Sequence, residues 1–300
     1  MSISTSSTSQ LPMVSVVMIT YNHERYILQA IESVFMQQVN FPLELIIADD
    51  HSTDNTPQVV QSFIDTHSTG HLIRYTYHTP NKGMSPNFAW ALQQASGKYI
   101  ALLEGDDFWT DPHKLQKQVD FLEQHDEYVL TVGGFSTHFK GAPIREEISP
   151  PSQRNQSDFD FGYPFDLVDI THRYLTKTLT LVFRTRCLTE VMKHIDQLHY
   201  FRDIHLTYLL MRQGKGFYFT TNFGTFNIHE GGVNSMKTTE AQYLSGYNSL
   251  RELFQIHKDY HTSYTLRRII KGYIKVSVLN GHWRNVTVGV VRDLLKTMRK

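Results

Sequence analysis

The stretch that most constrains the fold is Gly97 to Asp107, GKYIALLEGDD. An apolar, strand-like run, Tyr99-Ile100-Ala101-Leu102-Leu103, stops in three acids within four residues: Glu104, Asp106 and Asp107. An unpaired carboxylate is too costly to bury along a strand. The acids therefore belong where the strand emerges, at a rim that meets a cation or a polar ligand. In an open α/β sheet the carboxyl ends of the strands are where ligands bind. A solvated acidic turn is the plainer alternative for this stretch taken alone.

The residues before it repeat one pattern. Val14 to Ile19 is a β-branched, apolar run that predicts a central strand. It ends at Thr20-Tyr21-Asn22-His23, where Asn22 suits a helix N-cap, and Ile27, Ile31, Val34 and Phe35 recur at helical spacing. Leu43 to Ala48 predicts a second strand, ending at Asp49-Asp50, with a helix from Thr56-Pro57. Leu72 to Tyr77 predicts a third strand, followed by the loop His78 to Gly83. A helix from Ser85 carries Phe88, Ala91 and Leu92 inward, with Gly97 placed for a left-handed cap. Asp111-Pro112 reads as the cap of a further helix. Alternating strands and helices imply a mostly parallel sheet with helices on both faces.

Past Gln124 the pattern loosens. Val129 to Gly134, Leu179 to Phe183, Phe217 to Phe219 and Phe226 to Ile228 are strand-like. Thr189 to Ile195 and 204–212 are helix-like, with Asp203 able to cap the second. The proline-punctuated segment 140–170 reads as a long loop, and the last sixty residues as helical.

Several function classes are excluded or disfavoured. The turn after the first strand, TYNHERY, holds no glycine, so neither a dinucleotide fingerprint nor a P-loop is present. Phosphate handled by such a sheet must be handled through the acids, and acids repel phosphate unless a divalent cation stands between. The histidines lack zinc-ligand spacing. The one cysteine, Cys187, allows no internal disulfide and agrees with a reducing, cytoplasmic setting. No apolar run spans a bilayer, and MSISTSSTSQ lacks the parts of a signal peptide. Formal net charge is zero, but residues 251–300 hold eleven Lys/Arg against three Asp/Glu, a local +8 that leaves the first 250 residues at −8. A basic tail without a compact recognition motif disfavours a nucleic-acid binder and suits contact with an anionic surface.

The stretches VSVVMITYNHERYILQAIESVFMQQ, LELIIADDHSTDNT, NKGMSPNFAWALQQASGKYIALLEGDDFWTDPHKLQKQVDFLE, FRDIHLTYLLMRQGKG and FNIHEGGVNS resemble the inverting glycosyltransferases of family 2, of GT-A fold, in the bacterial polysaccharide or lipopolysaccharide branch. The resemblance is dense from Val14 to Glu123 and sparser to Ser235. It implies an α/β fold of the GT-A type: a mostly parallel central sheet with helices on both faces, plus a C-terminal helical extension. The expected organisation is a flexible N-terminus over 1–11 and a transferase domain over 12–235. Within that domain 12–123 would bind the nucleotide sugar and 124–235 the acceptor. A basic helical extension would follow over 236–300.

The resemblance also implies roles, residue by residue. Thr20, Tyr21 and Asn22 would line the nucleotide pocket, and Asp50, with Asp49, would hold the base. Asn81 and Lys82 would sit near the phosphates or sugar. Glu104, Asp106 and Asp107 match the family's acidic metal motif, with Glu104 where aspartate is commonest. Asp106 and Asp107 would contact Mg²⁺ or Mn²⁺ and the diphosphate, and Glu104 would reach the sugar hydroxyls or stand behind the metal ligands. Asp203 matches the catalytic base, although Arg202 precedes it where the family usually has glutamate. His229 would reach the metal or the diphosphate.

The implied reaction moves a sugar from a nucleotide diphosphate, UDP above all, to a saccharide or lipid-linked saccharide. Sugar-nucleotide nucleotidyl transfer and an inactive nucleotide-sugar-binding scaffold are the alternatives. The segment Arg267 to Lys275 has the spacing of an amphipathic helix. It would touch the inner face of the cell membrane, or pack on the body or on another copy of the chain, which leaves a homo-oligomer open.

Overall fold

The computed structural model describes residues 13–298 except 140–141, 156, 174, 196–197, 233–237 and 283–285. The expected N-terminal segment 1–11 lies outside the described residues.

Strands β1 (Val14–Thr20), β2 (Leu43–Asp49), β3 (Ile73–Tyr77) and β4 (Tyr99–Glu104) run parallel. Helices α1 (Ile27–Phe35), α2 (Thr56–Thr66) and α3 (Met84–Gln93) connect them. The sheet order is β3-β2-β1-β4. The chain thus steps outward from β1 on one side, then returns to its other side, which makes the β1/β4 boundary a topological switch point. Both faces of β1 and β4 are covered, which is why Val16 to Ile19 and Tyr99 to Leu103 read as unbroken apolar runs. Along β4, Ile100 and Leu102 enter one core with Val17, Phe88 and Leu92, while Tyr99, Ala101 and Leu103 enter the other with Val16, Ile31 and Leu115.

The second half is built on the same sheet. β5 (Phe108–Trp109) and α4 (Lys114–Gln124) precede β6 (Tyr128–Phe139). β7 (Arg145–Glu147), β8 (Gly162–Phe165), α5 (Leu167–His172) and β9 (Val182–Arg184) follow. Then come α6 (Leu188–Ile195), α7 (Asp203–Met211) and β10 (Lys215–Ile228). The order continues β4-β9-β6-β10-β5, with β9 antiparallel to both neighbours and β10 parallel to β6. The buried Arg184 fastens β9 in place. Its guanidinium donates to the Tyr128 carbonyl at 2.8 Å, the His125 carbonyl at 3.0 Å and the Tyr99 hydroxyl at 3.1 Å. The chain closes with α8 (Thr239–Ile256), α9 (Tyr260–Leu279) and α10 (Val288–Met298). Tyr247, Leu250 and Phe254 of α8 and Leu266, Ile270 and Tyr273 of α9 join the same core as Phe88 and Leu102.

Several local expectations are corrected. Asn22 does not cap α1; it sits in the left-handed region at φ 57°. Its N–H donates to Ser52 Oγ at 2.9 Å and its Oδ1 accepts the Thr53 N–H at 2.7 Å, so its polar groups join two loops. The segment 140–170 contains β7, β8 and α5, and the two strands expected over 217–228 are one bulged strand, β10. Asp203 is the first residue of α7, with Arg202 at the cap. Gly97 lies beyond the end of α3 and has no left-handed φ. Its reason is close approach: a Cβ there would stand 2.7 Å from Ser15 N and 2.9 Å from the Val14 carbonyl carbon.

Because those neighbours are backbone atoms of the central strand, Gly97→Ala is expected to destabilise the fold by about 1–3 kcal/mol in urea unfolding. A change below about 0.5 kcal/mol, the range of an unremarkable surface substitution, would contradict the packing described.

Candidate active site

Backbone register assembles the site. Parallel pairing sets Thr20 opposite Asp49, Ile19 opposite Glu104 and Asp49 opposite Tyr77, so the strand ends form one rim. Gly105 is required there, because a Cβ would lie 2.7 Å from Thr20 Oγ1. Facing the rim, α7 and α8 form the opposite wall of a cavity of about 780 Å³. Of the residues singled out from sequence, Thr20, Tyr21, Asp50, Asn81, Glu104, Asp106 and Asp203 line it.

The others hold the rim or stand behind it. Asp49 is fully buried, accepting the Ser52 N–H at 2.8 Å and the Tyr75 hydroxyl at 2.9 Å. Lys82 donates its backbone N–H to Asp50 Oδ1 at 2.6 Å, and Asn81 Nδ2 donates to the Asp50 carbonyl at 2.6 Å. Asp107 is buried, its Oδ1 accepting the Asn227 N–H at 2.9 Å. Asn227 Nδ2 donates in turn to the Asp106 carbonyl at 2.7 Å, so the end of β10 grips the acidic turn. His229 touches the rim through Asp106, with Nε2 and Oδ2 3.0 Å apart.

Side chains to which sequence reasoning gave no role complete the site. His23 brings Nε2 to 3.7 Å from the same Asp106 oxygen. Lys177 lines the cavity with Nζ 3.1 Å over the Phe226 ring. Arg202 donates to Ser245 Oγ at 2.7 Å, tying α7 to α8. His205, fully buried, accepts the Arg202 N–H on Nδ1 at 3.2 Å and presents Nε2 to the Ser249 carbonyl at 3.0 Å. Burial brings it down to about 4, so it is a neutral brace for the helix start that carries Asp203. His23 had a signal in its place within the first strand-to-helix turn. The others depend on contacts between distant segments.

The acids do not titrate alike. Burial, then the charge of Asp106, pushes Glu104 up to about 7. Burial, then Asp106 and Glu104, pushes Asp107 well above the usual carboxylate range. Burial also opposes ionisation of Asp106, but the His229 hydrogen bond and the facing His23 outweigh it and hold Asp106 below its ordinary value. Carboxylates that repel one another in a buried site fit a divalent cation. The donor sets agree: the oxygens of Glu104, Asp106 and Asp107 lie within 4.8 Å of one another, as do the ligand atoms of His23, Asp106 and His229. Asp107 Oδ2 has no hydrogen-bond partner among the described residues. The cluster thus has the residue types and spacing to take a divalent metal.

The chain belongs to glycosyl transferase family 2, whose model matches residues 15–180. The putative glycosyltransferase EpsE of Bacillus subtilis is 38% identical over 185 residues, covering 62% of this chain and 65% of that protein. The Escherichia coli protein WfgD, a UDP-Glc:alpha-D-GlcNAc-diphosphoundecaprenol beta-1,3-glucosyltransferase, is 36% identical over 110 residues, 37% of this chain and 41% of that one. The match to an uncharacterized Mycobacterium tuberculosis protein, 38% identical over 146 residues, spans 49% of this chain and 42% of that protein. The chain thus spans from about two fifths to just under two thirds of the length of these relatives. In fold it is similar to S. aureus TarS, solved with UDP-GlcNAc, at TM-score 0.62 and 19% identity over 95% of this chain and 79% of that one. It is also similar to the mannosyltransferase PcManGT of Pyrobaculum calidifontis, solved with GDP-Man and Mn²⁺, at TM-score 0.57 and 13% identity over 97% and 85%.

Glu104 gives a pH signature. Folded, it keeps a proton that the unfolded chain releases near its ordinary value of 4.5, and it loses that proton only at about 7. Metal-free protein therefore loses stability as pH rises through that window. In EDTA, the thermal midpoint of the wild type is expected to fall further between about pH 5 and about pH 8 than that of Glu104→Gln. Parallel profiles would show that Glu104 carries no such shift.

Proposed function

We propose that the chain transfers a hexose or N-acetylhexosamine from a nucleotide diphosphate, UDP above all, to a hydroxyl of a glycan or lipid-linked glycan, with inversion and with a divalent metal. The observation that carries this reading is one cavity lined both by the rim residues Thr20, Asp50, Glu104 and Asp106 and by Asp203 at the start of α7. The complexes of TarS with UDP-GlcNAc and of PcManGT with GDP-Man support it, as does the UDP-glucose donor in the name of WfgD. In this reading Tyr21 and Asp50 hold the base. Asp50 keeps one oxygen on the Lys82 N–H, and among the described residues the other carries no hydrogen bond and can accept from a ring N–H. Asp106, with Asp107 and His229, would hold the metal, Mg²⁺ or Mn²⁺. When bound, it supplies positive charge against the charge that develops on the departing diphosphate.

Asp203 takes the proton of the acceptor hydroxyl as that oxygen bonds to the anomeric carbon, while the bond from that carbon to the diphosphate oxygen breaks on the opposite face. Arg202 and His205 fix the helix start that presents it, and Lys177 adds a fixed cation to the cavity. Asp203→Asn keeps the shape and removes the base. It is expected to hold UDP affinity near the wild-type value while turnover of the donor falls about 10²–10⁴-fold. Unchanged turnover would remove Asp203 from the reaction.

We also place a peripheral membrane contact in this reading, at the inner face of the cell membrane, and α10 supports it. Among the described residues no helix is long and apolar enough to cross a membrane. The segment Arg267 to Lys275 turns Ile270 and Tyr273 into the core. By contrast α10 buries Asp293 and Thr297 and exposes Val288, Val291, Leu295 and Met298 in one stripe, beside exposed Arg292 and Lys296. An apolar stripe edged by basic residues suits an anionic lipid surface, whereas two copies would oppose like charge. Sedimentation with phosphatidylcholine vesicles is expected to capture the protein only when phosphatidylglycerol is included. The double substitution Val291→Glu and Leu295→Glu should abolish capture; capture that survives it would rule out this face.

A further inference from the structure

We infer that the acceptor of this site carries an acidic group, a carboxylate or a phosphate, and that Lys177 and Arg202 receive it beside Asp203. This rests on the transferase reading above and adds to it the charge class of the second substrate.

The two cations lie on the acceptor's side of the cavity. In the order β3-β2-β1-β4-β9, Asp50 follows β2, Thr20 ends β1 and Glu104 ends β4. β9 runs antiparallel to β4, with Val182 opposite Ala101, so the residues leading into β9 stand at the end of β4 that carries Glu104. Lys177 is among them, just before the 3₁₀ turn Thr178–Thr180. At the spacing of neighbouring strands, that place is three strands from Asp50, about 14 Å. In the reading above, the nucleotide occupies the Asp50 side and its diphosphate stops at the acids. Lys177 lies beyond them. Glu104 faces the charges of Lys177, Asp203 and Arg202 together, so both cations share the side of the cavity that holds Asp203.

Both are held in place without being neutralised. The Lys177 carbonyl accepts the Thr180 N–H and the Thr180 hydroxyl, each at 2.9 Å, which fixes the backbone. Lys177 Nζ rests 3.1 Å over the Phe226 ring and 5.9 Å from the centre of the Phe135 ring. Aromatic faces attract an ammonium and leave its N–H groups free to donate. Arg202 stands at the cap of α7 and gives Nη1 to Ser245 Oγ at 2.7 Å. Among the described residues its Nε and Nη2 make no hydrogen bond, and neither cation forms an ion pair with a carboxylate. A guanidinium edge with two parallel N–H groups matches the two oxygens of a carboxylate or a phosphate. Both side chains are half-buried, where salt screens charge less than at an open surface.

Charge balance asks for the same ligand. The donor's own anion, the diphosphate, is answered at the acidic turn. An acidic acceptor meets Glu104 and Asp203 as like charges, which costs affinity. Lys177 and Arg202 offset that repulsion, and a neutral saccharide would leave both of them unused beside the attacking hydroxyl.

The test uses the full chain saturated with UDP and Mn²⁺, so that the donor side is filled. It is titrated calorimetrically with three glycosides that share one ring and differ at C6: methyl β-glucoside, its 6-phosphate and methyl β-glucuronide. One or both anionic glycosides are expected to bind about 10–100-fold more tightly than the neutral one, and the preferred one names phosphate or carboxylate. The preference should vanish in Lys177→Met, persist in Lys177→Arg and weaken in Arg202→Gln. In ¹⁵N spectra of the wild type, the Arg202 Nε–H signal should move with an anionic glycoside and stay with the neutral one. That readout decides even where a variant fails to fold, and an unmoved signal would overturn the inference. Equal affinities, no binding of any glycoside, or a preference that survives both Lys177→Met and Arg202→Gln would overturn it too. Each of these leaves the transferase reading standing, because UDP is still bound. A wild type that binds no UDP in the presence of Mn²⁺ would overturn both.

Discussion

The rest of the structure depends on the burial of β1 and β4 on both faces. Two strands covered by apolar layers cannot carry charge along their length, and the one charged side chain they bring, Glu104, stands at the rim where β4 ends. Parallel register then does the assembly: with Ile19 opposite Glu104 and Thr20 opposite Asp49, three loops open at the same height. The switch in strand order between β1 and β4 opens the crevice at that rim.

A rim of acids is electrostatically unstable by itself. The fold answers with imidazoles on one side, where His23 and His229 face Asp106, and with cations on the other, where Lys177 and Arg202 line the same cavity as Glu104. The resulting ionisation is divided, with Asp106 favouring its charged form and Glu104 and Asp107 resisting theirs. Such a division suits a site that waits for a cation and an anionic ligand together. The second wall matters equally. Arg202 and His205 bind the start of α7 to α8, so the C-terminal helices form part of the cavity wall.

What was legible in the sequence follows the range of the interactions involved. Strand ends announce themselves locally, because an apolar run that stops in acids or in Thr-Tyr-Asn has one sensible place in a sheet; the rim and the parallel half were therefore readable. Asn22 and Asp49 look like ligand groups by position, yet their hydrogen bonds run to Ser52, Thr53 and Tyr75, partners that only the folded loops reveal. Gly97 looks like a helix cap, but the strand backbone behind it imposes the residue. Lys177 and His205 became visible only once distant segments met, and the bulged course of β10 concealed a single strand behind two apolar runs.

The central claim, that this rim binds a nucleotide-diphosphate sugar through a metal, is tested most directly by donor hydrolysis. Purified protein is incubated with UDP-, GDP-, CMP- and dTDP-sugars, with Mn²⁺ or Mg²⁺ and again with EDTA, while released nucleotide and bound donor are both measured. The account predicts slow release from one donor, a UDP-sugar, abolished by EDTA and by Asp106→Ala. No binding and no release from any donor, with metal present, would contradict it.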